Sequence, residues 1–189
     1  MSEIAFALVL ALAAVVAALI GARAGKTTRA YLTFAAALYA SLAIADAAFV
    51  RLPEEAGAVA LLVTALAPAS LALALAGRAV NAGVATLVLF VCLLAGLFGA
   101  MTGEALAAFA PLFASVCAML AMALRKRLVY AGFGALAFMA AAASFMAEGA
   151  HMAFMLFSAA GLIGAALASG GQIAGKGKLP RALAIGRHR

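Results

Sequence analysis

Seven apolar stretches, separated by short polar turns, dominate this chain; they run at approximately 4–22, 30–50, 57–77, 82–101, 105–124, 128–147 and 152–169. Each matches the roughly 20 residues that a helix needs to cross the hydrocarbon core of a bilayer. Within that core no water is present to bond peptide groups, so a spanning segment must be a helix or a strand of a closed barrel. None of the seven alternates apolar and polar residues along its length. The expected fold is therefore an all-α integral membrane protein, a compact bundle of seven transmembrane helices over residues 1–169, with a basic tail at 170–189.

Composition supports the same class. Hydrophobic residues make up 69% of the chain and charged residues 10%, against roughly 45–50% and about 25% in ordinary globular domains. The first stretch exceeds the usual apolar run of a signal peptide, and Glu3 stands where such a peptide carries basic residues, so a retained helix is expected.

The turns set an orientation. Arg23, Lys26 and Arg29 follow the first stretch, Arg78 the third, Arg125, Lys126 and Arg127 the fifth, and Lys176, Lys178, Arg181, Arg187 and Arg189 the seventh; of the basic residues only Arg51 falls on the other side. The acidic residues Glu3, Asp46, Glu54, Glu55, Glu104 and Glu148 lie toward that other side. Basic turns stay in the cytoplasm during insertion, so the N terminus is expected outside and the C terminus inside, in a bacterial inner membrane. The formal charge of +7 is explained by this partition. With no alternation of aromatic and basic residues to stack bases, no nucleic-acid partner is expected.

Helix contacts are expected through small side chains, which let backbones approach closely; Gly96-x-x-Gly99 and Gly161-x-x-Gly164 are the clearest clusters, although so alanine-rich a chain makes such matches cheap. Three hairpins reach an outer Glu (Glu55, Glu104, Glu148), a period that alternating span direction generates without any internal duplication. The expected partners are the bilayer itself, anionic lipid at the basic tail, and a membrane-protein partner or further copies of the chain.

Few residues can carry chemistry. Asp46 is the one ionisable residue clearly inside a span. It reads as an ion- or proton-coupling group, with Tyr39 on the same helical face seven residues earlier, or as a carboxylate near the outer surface that reaches water. Glu148 and His151 form a Glu-x-x-His pair that suits a weak outer-side metal site, although di-iron bundles use two such pairs; solvated turn residues are the plainer reading. Pro68 and Pro111 each remove a backbone donor and free the carbonyls of Thr64 and Ala107, either lining a cavity or leaving a kink that neighbouring groups absorb. Met119, Met122, Met139, Met146, Met152 and Met155 either form an apolar groove or fill gaps in the packing.

Other chemistries lack their residues. The lysines (Lys26, Lys126, Lys176, Lys178) lie outside the apolar stretches and cannot hold an intramembrane Schiff base. His151 and His188 fall on opposite sides, so one chain offers no paired histidines to a buried haem. No histidine accompanies the serines at depth, and Gly25-Lys26-Thr27 lacks the upstream glycine of a phosphate-binding loop. Cys92 and Cys117 sit singly in apolar runs. No cofactor is expected. Two functional classes remain: a non-enzymatic accessory or assembly subunit of a membrane complex, and a small permease or ion-coupled transporter built on Asp46 and the proline-containing spans. A polar cavity spanning several helices would speak for the permease, and a dry, fully packed bundle with an exposed small-residue face for the subunit.

Overall fold

The computed structural model describes residues 2–48, 53–146 and 151–174. They form α1 (Ser2–Ala22), α2 (Lys26–Ala48), α3 (Pro53–Ala76), α4 (Ala82–Thr102), α5 (Ala105–Lys126), α6 (Val129–Met146) and α7 (His151–Ala174), with one short 3₁₀ turn at Gly77–Ala79. All seven α-helices are long and apolar enough to span a membrane, which marks the chain as an integral multi-pass membrane protein. The boundaries fall within a few residues of the sequence expectation. At the start of α2 and the end of α7 the helix continues into polar residues, so Gly170 to Ala174 belong to α7 rather than to the tail. The rest of the tail lies outside the described residues.

The short turns stop the helices sharply. Gly103, at φ 73°, ends α4, and Arg127, at φ 52°, ends α5 with its N–H donating to the Ala123 carbonyl. A left-handed residue at this position is a common helix stop, although a side-chain-bearing one is less usual than glycine. At the start of α4, Asn81 Oδ1 accepts from the Gly83 N–H at 3.0 Å, satisfying one of the unpaired donors of a helix start.

Helices α1, α2, α3, α5, α6 and α7 pack in a closed circuit, and α3 and α7 also meet each other across it. Helix α4 stands outside this circuit, packed on α3 and less extensively on α5. Three contacts bring the basic turns to one end. The end of α7 touches the end of α1, where a Cβ on Gly170 would lie 3.0 Å from Ile20; Gly77 lies beside Thr28; and Lys126 Nζ donates to the Leu75 carbonyl at 3.0 Å. We call this the basic end.

The interior consists mainly of Ala and Leu with a few large rings. Small residues let the backbones close up, and both glycine clusters singled out in the sequence lie at helix contacts, one between α6 and α7 and the other joining α4 to α3 and to the start of α5. A Cβ on Gly134 of α6 would sit 3.0 Å from the Ala165 nitrogen and the Gly161 carbonyl of α7, and one on Gly164 would sit 3.0 Å from the Gly134 backbone. On α4, a Cβ on Gly96 would meet Ala65 and Leu62 of α3 at 3.1 and 3.2 Å, and one on Gly99 would meet the Glu104 carbonyl at 3.1 Å.

Polar side chains in the spans return their protons to helix carbonyls, as a medium without water requires. Ser115 donates to Pro111, Ser144 to Ala140 and Ser169 to Ala165, each one turn back in its own helix. Ser70 instead reaches across to the Tyr31 carbonyl of α2 at 2.7 Å. No buried side-chain nitrogen or oxygen among the described residues lacks a partner.

Candidate functional site

Asp46 lies two residues from the end of α2 and is half-buried. Tyr39 is fully packed in the core, and its ring stacks on Phe138 of α6 with centroids 6.2 Å apart and planes 9° from parallel. Seven residues, about 10 Å of helical rise, separate the two along α2. The structure thus places Tyr39 in an inter-helix aromatic stack, a role its sequence position did not disclose. The signal was present across the interface: a side chain on Gly161 would collide with the Phe138 ring at 2.7 Å, so α7 leaves the space the ring fills.

Glu148 lies outside the described residues, as does the side chain of His151, the first residue of α7. No three His, Cys, Asp or Glu side chains come together among the described residues. Cys92 is buried, Cys117 is exposed, and both are free thiols.

Both prolines lie inside continuous helices, in keeping with the second of the two readings open to them from sequence. Helix α3 runs unbroken past Pro68, which is completely buried, and α5 runs unbroken past Pro111. The methionines divide between the two roles open to them: Met119 and Met155 are buried in the core, whereas Met122, Met139 and Met146 line surface clefts.

The larger of these clefts has a volume of about 720 Å³ and lies between α4 and α5, with α3 as its floor. Its shape follows from the packing. At the Gly103 turn, Gly99 brings α4 against the start of α5; toward the basic end the two helices part, and Leu87 and Val88 of α4 face Ala118 and Met122 of α5 across the gap. The walls are almost entirely hydrocarbon, since the one hydroxyl, that of Ser115, is already committed to the Pro111 carbonyl. A smaller cleft of about 200 Å³ between α5 and α6 is lined by Leu106, Phe109, Phe113, Met139, Ala142 and Met146, among others. Neither offers the convergent polar groups that bind a hydrophilic solute or hold a catalytic constellation.

No protein-family profile, curated protein or solved structure matches this chain.

Proposed function

We infer that the protein is a non-enzymatic accessory or assembly subunit of a complex in a bacterial inner membrane, seven-spanning, with its N terminus outside and its C terminus in the cytoplasm. The observation that carries this reading is the apolar packing of the described bundle: helices α3 and α7 fill the centre with Ala and Leu, and the two surface clefts have hydrocarbon walls. A solute path needs polar groups along it. The gathering of Arg23, Arg29 and Arg125 to Arg127 at one end supports the orientation through the retention of basic turns in the cytoplasm.

Purification in mild detergent, followed by mass spectrometry of whatever travels with the chain, tests the reading. A stoichiometric membrane-protein partner is expected; a lone monomer counts against it.

The rival reading, a small permease, rests on the half-buried Asp46 within a span. If Asp46 couples transport, Asp46→Asn abolishes proton uptake in proteoliposomes while leaving thermal stability unchanged. On the subunit reading, the two proteins behave alike in both assays.

A further inference from the structure

The cleft between α4 and α5 has an apolar body and a cationic mouth, and both lie on one face of α5. Ala114, Ala118 and Met122 line the cleft at four-residue steps, and the next step along that face is Lys126. Arg125 likewise follows the lining residue Ala121 by one turn. Both cations are exposed, and the Lys126 ammonium donates to the carbonyl of Leu75 on α3, next in sequence to the lining residue Ala76. Arg127, also exposed, continues the cluster.

The dimensions fit one kind of molecule. From Ala114 to Lys126 is about 18 Å of helix, close to the roughly 15 Å that one leaflet contributes to the hydrocarbon core. At about 30 Å³ for a group the size of a water molecule, the 720 Å³ of the cleft holds on the order of twenty methylene-sized groups, the bulk of one acyl chain. We propose that this cleft binds an anionic phospholipid of the leaflet at the basic end, with one acyl chain lying between α4 and α5 and the phosphate at Arg125 and Lys126. A zwitterionic lipid would fill the same apolar body, but the ammonium of its own headgroup offsets the phosphate charge offered to the two cations. A transmembrane helix of a partner would overfill a wedge that narrows to contact at Gly99.

The absence of tryptophan from the chain makes a direct test available. A single tryptophan replaces Leu87 at the cleft, and in a second protein it replaces Leu12 on the exposed face of α1. Each is reconstituted in neutral vesicles with a minor fraction of bromine-labelled phosphatidylglycerol or phosphatidylcholine, and fluorescence quenching is measured.

At Leu87→Trp the anionic lipid is expected to quench about fivefold more effectively than the neutral one, the worth of one cation near a charged lipid surface; at Leu12→Trp the two should quench alike. The preference should disappear when Ala118→Phe fills the cleft or when Arg125→Gln and Lys126→Gln remove its charges. It should survive replacement of the basic residues between Lys176 and Arg189 by glutamine. Equal quenching at Leu87→Trp by both lipids, or a preference that outlasts the cleft substitutions or vanishes with the tail charges, overturns the assignment. Shielding of Leu87→Trp from both lipids, with Leu12→Trp still quenched, would mean that protein occupies the cleft and would overturn it equally.

Discussion

Helices α3 and α4 are consecutive, nearly equal in length and both strongly apolar, yet they live in opposite surroundings. In α3, 78% of the spanning segment is buried by other helices; in α4 the share is 22%. Polarity cannot sort them, because lipid tails and a protein interior accept apolar groups equally. Size does. The segment Gly57–Ala76 holds eight alanines and no aromatic residue, whereas Ala82–Thr102 holds four alanines and exposes Phe90 and Phe98 among several Leu and Val. Small side chains let neighbouring helices close on most of α3, leaving only the cleft floor open, while bulky ones on α4 face outward. The two glycines that do turn inward on α4, Gly96 and Gly99, are its points of attachment.

That contrast can be broken by substitution, and the largest effect should come from the attachment point. Gly96→Leu forces bulk against the Leu62 backbone 3.2 Å away and should cost about 3 kcal/mol, the upper part of the usual range for overpacking. Equilibrium unfolding in mixed micelles would measure it. A cost below about 1 kcal/mol would mean that α4 is not anchored there. Ala67→Leu, at a fully buried position of α3, should cost about 2 kcal/mol by the same mechanism. Ser70→Ala removes the hydroxyl that joins α3 to α2 through the Tyr31 carbonyl; inter-helix hydrogen bonds in membranes average about 0.6 kcal/mol, and a loss of that order is expected. Leu94→Ala on the exposed face of α4 should change stability least, by less than about 0.5 kcal/mol. If Leu94→Ala proves as costly as Ala67→Leu, α4 is not a lipid-facing helix.

Much of this architecture could be read from the residues. The hydrophobic stretches and their basic turns located all seven helices, since bilayer thickness and backbone bonding leave few alternatives. Gly161 and Gly164, noted for their size alone, prove to be where α6 and α7 meet, but their partner Gly134 was not apparent: which helix a small residue faces depends on the circuit of packing, which spacing does not encode. Tyr39 shows the same limit from the other side. Its shared helical face with Asp46 suggested a polar pair, and the structure stacks it on Phe138, 99 residues further along the chain. Pro68 and Pro111 left two readings open, a break lining a cavity or an absorbed kink, because the rule for an isolated helix says nothing of the neighbours that hold it in place; both helices run on. The cleft was invisible for a related reason. It exists where α4 and α5 diverge, and an angle between helices leaves no mark in hydropathy. Its lining residues Pro111, Met122 and Cys92 each stand out in the sequence for a separate reason, with nothing to join them.

The central claim, that α3 is enclosed by protein while α4 faces lipid, is open to one direct measurement. The purified chain is reconstituted in liposomes and photolysed with a carbene precursor confined to the hydrocarbon layer, and labelled positions are read by peptide mass spectrometry. Heavy labelling is expected at Leu87, Phe90, Val91, Leu94 and Phe98 of α4, with the α3 segment Gly57–Ala76 nearly clear of label outside the cleft floor at Ala69, Ala72, Leu73 and Ala76. Comparable labelling of the two helices would contradict the claim.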